Sequence, residues 1–382
     1  MRPVKLLHLH STFNLGGKEA RAVRLMNHFG DRAEHTILSA VPDAMSARDA
    51  IDRRIKVDFP SDAPSLQGKP GVIRYQRLVD YFRQFHLVLS YNWGAMDGVM
   101  ARTLFAGRYR LPPVIHHEDG FNEDEAVRLK KRRNWFRMVA LARTDALVVP
   151  SQTLETIARN VWKQPDSRIH RIANGIELSA YLKKPQRGTI PGFKREPGEI
   201  VIGTLAGLRA VKNLPRLVQA VSAMGRPVRL VIVGEGPEHD VIRSEASRSG
   251  LGSRVLLPGF LANPARYVGL FDIFALSSDS EQFPISVLEA MAASLPVVAP
   301  RVGDIADMVS SENCEFLSAP GDAAGLTAAL ARLADDEGLR AAVGAANRRK
   351  AEAEYDEQVM FARYMALYGR AMRRLDFGEW EE

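Results

Sequence analysis

The sequence predicts an α/β chain of two domains, each a parallel sheet covered by helices. Three observations predict it. Short apolar runs at Val4–Leu9, Thr36–Val41, Leu87–Ser90, Val114–His116 and Ala146–Pro150 alternate with stretches of helical period, the pattern of a buried parallel sheet. The alternation resumes at Glu199–Thr204, Val228–Val233, Val255–Pro258 and Ile273–Leu276. Between the two series, three Pro and three Gly fall within Pro185–Gly198, a stretch that can form no core. The expected division is therefore 1–185, a linker at 186–198, and 199–358.

Bulk composition narrows the class. With 382 residues, 46% hydrophobic and 25% charged, the chain suits a soluble globular protein of two or three domains. A single cysteine, Cys314, excludes an internal disulfide framework and a cysteine-based zinc site. The first apolar run is too short for a signal peptide, His8 and His10 interrupt it, and no later run is long enough to span a membrane. A cytoplasmic chain is expected. Net charge is +7, split into +12 over residues 1–187 and −5 over the rest. A basic front half points to a polyanionic or membrane-surface partner, and no nucleic-acid module is recognisable.

The first strand is followed by the loop STFNLGGKEA and a helix over Ala20–Phe29. Gly16 and Gly17 there either bring bare backbone N–H groups to an anion or acceptor, or serve a tight turn needing positive φ. Ligands of parallel sheets collect beyond the carboxyl ends of strands. The polar and aromatic residues expected there are Asn14, Tyr91-Asn92-Trp93-Gly94, His116-His117-Glu118-Asp119-Gly120 and Ser151. Along an extended chain at most alternate members of His116–Asp119 converge, and with no further ligand cluster no metal site is expected. Arg128, Lys130, Lys131, Arg132, Arg133 and Arg137 beside Trp135, Phe136 and Met138 read either as a solvated face over a buried stripe or as a membrane-surface element. Ser151 is the expected N-cap of a helix reaching Val161, and Arg168–Ile172 an expected strand.

In the back half, LAGLRAVKN puts Arg209 and Lys212 in one strand-to-helix loop, where both can face the same anion. Gly234-Glu235-Gly236-Pro237 is a poor dinucleotide fingerprint, lacking a third glycine. Gly259-Phe260 reads as the rim of a base pocket. Helices over 322–335 and 337–353 are alanine-rich and structural, and Val359–Leu375 is a further helix. The stretch from Ser277 to Val298 sets Glu281 in a loop after a strand and Glu289 inside a helix that Pro284 opens. At about 1.5 Å rise per residue, the two carboxylates could grip a ligand roughly 7–10 Å long. The helix N-terminus between them favours a phosphate.

EQFPISVLEAMAASLPVVA resembles the E-x7-E signature of the retaining nucleotide-sugar glycosyltransferases of family 4, the group 1 glycosyl transferases. Their fold is GT-B, two Rossmann-like parallel-sheet domains facing a central cleft. The resemblance implies that Glu281 contacts the donor sugar, Glu289 the ribose, and Arg209 with Lys212 the diphosphate. It implies a donor site also lined by Gly16, Gly17, Gly234, Phe260, Phe283, Pro284, Ile285 and Ser286. A histidine after the fifth strand is implied at the reaction centre, His116 in preference to His117, with Lys18, Glu19, Asn92, His117 and Asp119 on the acceptor side. The implied reaction moves a hexose from a UDP- or GDP-linked sugar to a saccharide or lipid-linked saccharide, with retention, without metal or cofactor, at the inner face of a membrane. A terminal helix over 359–375 is expected to return to the first domain. Pro284 and Ser294 stand where the family often has Gly, and Gly303-Asp304 replaces the commoner Gly-Gly. A nucleotide-sugar epimerase or hydrolase, or an inactive nucleotide-binding scaffold, are the alternatives.

Overall fold

The computed structural model describes residues 2–69, 71–121, 123–125 and 128–377. The chain forms two compact units, Met1–Asn174 with Gln358–Glu382, and Gly175–Glu357.

The first unit contains β1 (Val4–His10), α1 (Gly17–Phe29), β2 (Ala33–Ser39), β3 (Val57–Asp58), α2 (Val72–Phe82), β4 (Leu87–Tyr91), α3 (Met96–Phe105), β5 (Val114–His117), α4 (Lys131–Ala140), β6 (Ala146–Val149), α5 (Gln152–Asn160) and β7 (Ile169–Arg171). Among the described residues its sheet has seven strands in the order β3-β2-β1-β4-β5-β6-β7, every pair parallel. Alternate side chains of β1 serve opposite faces. Leu7 and Leu9 pack with Val79, Phe82 and Val99, while Val4 and Leu6 pack with Leu25, Phe29 and Tyr368. Ser151 caps α5 as expected, its hydroxyl oxygen accepting from Leu154 N.

The second unit contains β8 (Ile200–Leu205), α6 (Leu214–Ala223), β9 (Val228–Val233), α7 (His239–Arg248), β10 (Val255–Leu256), β11 (Ile273–Ala275), α8 (Ile285–Ala292), β12 (Val297–Pro300), α9 (Ile305–Met308), β13 (Leu317–Ser318), α10 (Ala323–Asp335) and α11 (Glu337–Glu354). Its described strands run β10-β9-β8-β11-β12-β13, again all parallel. The strands β3 and β13 have two residues each, too few for any periodic signal in the sequence. Pro284 is the N-cap of α8 rather than its first residue.

The last helix, α12 (Glu357–Met372), lays Met360, Phe361, Tyr364, Met365 and Tyr368 into the core of the first unit. Fully burying a side chain of this size contributes roughly 1.5–3 kcal/mol, so the contact anchors the helix. The division between units falls at Asn174–Gly175, upstream of the 186–198 segment that composition marked as a linker. Polar ties hold that segment to the second unit. Gln186 N donates to Arg266 O at 2.8 Å, and Arg195 Nη2 donates to Asp272 Oδ2 at 2.6 Å. A Cβ on Gly175 would lie 2.7 Å from Glu357 Cα, so the chain's exit and return are pressed together there. A segment without a core of its own can still be fixed to another core by hydrogen bonds.

Candidate functional site

In an open parallel sheet the ligand crevice lies beyond the carboxyl ends of the strands where the order reverses. These points are β1/β4 in the first sheet and β8/β11 in the second.

At β8/β11 the structure brings together residues the sequence singled out. Lys212 Nζ donates to Glu281 Oε1 at 2.6 Å, and Ser278 Oγ donates to the same oxygen at 2.7 Å. Arg209, the N-cap of the short 3-10 turn Ala210–Lys212, is exposed and makes no side-chain hydrogen bond or ion pair among the described residues. The Glu281 backbone is fixed from the other side. Gly303 stands at φ 57°, and a Cβ there would come within 2.4 Å of Glu281 O, so only glycine fits. Asp304 N donates to Gln282 O at 3.0 Å. Glu289, on α8, is buried to 8% exposure and lies near Tyr267. Burial first, and the Glu289 charge second, push the Tyr267 phenol up. Phe283 packs edge-on against Tyr355 at 5.8 Å, and Pro284, Ile285 and Ser286 are half-buried at the start of the helix.

Beside this cluster a pocket of ≈ 450 Å³ is lined by Leu208, Gly234, Glu235, Gly236, His239, Leu257, Pro258 and Gly259. Gly234 has φ 148°, and a Cβ would meet Ala206 O at 1.9 Å, so the turn after β9 is threaded against the loop after β8. Phe260, at the rim, is 54% exposed. Sequence reasoning missed Ser278, Gly303 and Tyr267. Only Gly303 had left a signal, as a glycine pair reduced to Gly-Asp.

At β1/β4 the picture is different. Neither Gly16 nor Gly17 has positive φ, so the tight-turn reading fails, and Gly16 (φ −146°) serves as the N-cap of α1. Lys18 pairs with Glu19. Burial pushes the Glu19 carboxyl up, against the pull of Lys18. Asp119, at the end of β5, is held by Arg21, whose Nη2 donates to Oδ2 at 2.8 Å and whose Nη1 donates to Asn174 Oδ1 at 3.0 Å. Asn92 has φ 56° and ψ −174°, a region nearly reserved for glycine that costs about 1–3 kcal/mol elsewhere. Its surroundings hold it there: Asn92 N donates to His117 O at 2.8 Å, and Asn92 Oδ1 accepts from Asp119 N at 2.7 Å.

The structure buries both candidate histidines. His116 is wholly buried, with Nδ1 2.8 Å from Ser90 Oγ and Nε2 3.7 Å from Glu118 Oε2. His117 points the other way and is equally buried. Its Nδ1 donates to Ser90 O at 3.1 Å, so Nε2 is the acceptor of the Tyr368 hydroxyl at 2.8 Å. Burial holds this ring well below the usual imidazole range. Neither ring presents a free edge to a ligand, because β5 is covered on both faces. The accessible group at the end of β5 is Asp119. Behind it, Arg137 joins Glu118 and Glu125 in a buried cluster, with its guanidinium 5.0 Å from the Trp93 ring and 5.3 Å from those of Phe121 and Trp162. Among the described residues no group of three or more His, Cys, Asp or Glu side chains converges as a metal cage.

Two Rossmann-like parallel sheets, with an acid–cation cluster and a pocket at the second switch point, are the architecture of GT-B glycosyltransferases. Crystalline HepE from Anabaena, in complex with UDP, shares the fold with TM-score 0.77 at 20% identity, over 94% of this chain and 98% of that one. An N-acetyl-alpha-D-glucosaminyl L-malate synthase of Bacillus anthracis is 25% identical over 73% of this chain and 72% of its own length. A GDP-mannose-dependent alpha-mannosyltransferase of Mycobacterium tuberculosis is 26% identical over 81% of each. Residues 189–350 match the family model of glycosyl transferases group 1, and residues 15–180 match that of glycosyltransferase family 4. The chain belongs to the group 1 glycosyltransferases, of the family 4 type.

Proposed function

We propose that this glycosyltransferase moves a hexose from a UDP- or GDP-linked sugar to a saccharide or lipid-linked saccharide, with retention and without a metal, in polysaccharide or glycolipid synthesis. The observation that carries the reading is the 2.6 Å contact of Lys212 with Glu281, beside an uncommitted Arg209, at the β8/β11 switch point. A sugar and its phosphate are neighbours in the donor, and here a carboxylate suited to hydroxyls and cations suited to phosphate are neighbours too. UDP in the Anabaena neighbour and GDP-mannose in the mycobacterial relative's name support a nucleoside diphosphate donor.

In the proposed reaction the anomeric carbon–oxygen bond to the β-phosphate breaks as a bond to the acceptor oxygen forms on the same face. The departing phosphate takes the acceptor proton. Arg209 and Lys212 stabilise the charge growing on that phosphate more than the ground state, which is what lowers the barrier, and they supply the positive charge a metal would otherwise bring. Glu281 orients the sugar, and Glu289 the ribose. The first unit takes the acceptor near Lys18, Glu19, Asn92 and Asp119. Because Arg21 grips both carboxylate oxygens of Asp119, through Nη1 and Nη2, Asp119 orients an acceptor hydroxyl rather than removing its proton.

The basic front half supports a peripheral contact with anionic membrane at the cytoplasmic face, through Lys131, Arg132 and Trp135 on one side of α4; Trp135 is 61% exposed. Among the described residues no helix is long and apolar enough to cross a membrane. A thermal-shift screen of nucleoside diphosphates and their sugars tests the donor, since a ligand at 100 times its Kd adds about 2.7 kcal/mol. No stabilisation by any of them, or free sugar or epimer formed at full rate without acceptor, would reject the reading. NMR of the product linkage tests retention. Sedimentation with anionic liposomes, unchanged on neutralising Lys131 and Arg132, would remove the membrane contact.

A further inference from the structure

A pocket of ≈ 470 Å³ in the first unit has no part in the donor site. Its floor is the half-buried indole of Trp93, with Phe136 edge-on at 5.5 Å and Met96 beside it. Trp93 is held in place from several sides. Arg133 and Arg137 each set a guanidinium 5.0 Å from its ring. The next residue, Gly94, lies so close to the end of β1 that a Cβ would sit 2.0 Å from Ser11 Cβ. The residue before it is the strained Asn92, bonded to Asp119. The indole is thus a rigid platform, one residue from the groups proposed to meet the acceptor.

The charges at this pocket are not alike. Asp97 is already satisfied, accepting from Arg74 Nη1 at 2.7 Å and from the Tyr75 hydroxyl at 3.0 Å. Lys130 and Arg133 share Asp124, at 2.5 and 2.9 Å. Arg132 lines the pocket, is exposed, and makes no hydrogen bond or ion pair among the described residues. The apolar wall that Trp93, Met96 and Phe136 present accepts the C–H groups of a sugar ring, and an unpaired guanidinium accepts a planar or tetrahedral anion.

We infer that this pocket binds an acidic saccharide, a sugar ring bearing a carboxylate or a phosphate, as part of the acceptor. The ring packs against the wall of Trp93, Met96 and Phe136, and the anion pairs with Arg132. This inference rests on the reading of the first unit as the acceptor side.

The test is isothermal titration of the full chain with glucuronic acid, glucose 1-phosphate and glucose. At least one acid should bind about tenfold more tightly than glucose, the worth of one charge-assisted contact. Whichever acid binds better identifies the carboxylate or the phosphate as the preferred group. Arg132→Gln, a surface change that leaves the fold intact, should erase the preference, and Trp93→Ala should weaken every sugar that binds. Equal binding of acid and neutral sugars, a preference that survives Arg132→Gln, or binding of anionic-lipid vesicles but of neither acid overturns the proposal. A nucleotide-induced thermal shift on the same samples separates the two readings. A shift with no acid binding sinks the pocket alone, whereas acid binding with no shift by any nucleotide sinks the glycosyltransferase mechanism and spares the pocket.

Discussion

The two switch points use their charges in opposite ways. Beyond β8 and β11, Arg209 has no partner among the described residues, and Lys212 and Glu281 are joined by one hydrogen bond at a partly open edge. Beyond β1, β4 and β5 the most deeply buried cations are committed: Arg21 to Asp119 and Asn174, and Arg137 to Glu118 and Glu125. A charge with one partner at an open edge can be redirected to a ligand at little cost. A charge locked in a desolvated network cannot, because removing either partner leaves the other unpaired. Arg209 at the second edge is therefore free to take a new partner, whereas the buried pairs of the first hold a wall in place. Histidine follows the same division, since His239 alone of the nine lies in the second unit.

The largest effect expected from this contrast is on stability. Arg137→Ala strands Glu118 and Glu125 in the core and should cost about 3–5 kcal/mol, read as a drop in the urea midpoint. A loss under 1 kcal/mol would mean the buried network does not support the first unit. Arg209→Ala should do the reverse, lowering kcat about 10²–10³-fold while leaving stability within about 0.5 kcal/mol. A large stability loss there would show that Arg209 has a structural partner after all.

The third prediction concerns acid. Burial holds His8, His10 and His117 well below the usual imidazole value of 6.5, and His35 at about 4. Between those values the unfolded chain binds protons that the native first unit refuses, so stability falls as pH drops from about 6.5 toward about 4. Hydrogen-exchange protection factors should fall in the first unit across that window and not in the second; a parallel fall in both would break the contrast. The smallest effect is at Ser294, which follows α8 with φ 59° where the family often has glycine. Ser294→Gly relieves a left-handed residue and should raise stability by about 1 kcal/mol or less, visible as a small rise in Tm.

Much of the fold was legible because burial leaves periodic marks. β9 matches its apolar run, Val228–Val233, residue for residue, and Ser151 announced its helix. The strands β3 and β13 were not legible, since Val57–Asp58 and Leu317–Ser318 each hold a single apolar residue, whereas β10, equally short, lies in the apolar run Val255–Pro258. The linker misled for a related reason: composition reports whether a segment can make a core, not whether it is hydrogen-bonded to one. At the β8/β11 edge, Glu281, Glu289, Arg209 and Lys212 were all marked by motif and loop position. His116 was placed at the reaction centre by the family resemblance, and the sequence could not say that both faces of β5 are covered.

The sequence by itself determined two parallel sheets, the strand-end loops that carry Arg209, Lys212 and Glu281, and membership of a glycosyltransferase family. Alternation and local spacing suffice for these, because they are properties of neighbours along the chain. Only the tertiary structure decided which charged groups are spent. The Arg21–Asp119 pair spans 98 positions and the Tyr368–His117 bond 251. Whether a side chain is free to meet a ligand depends on such distant partners and on burial, which the order of residues does not display.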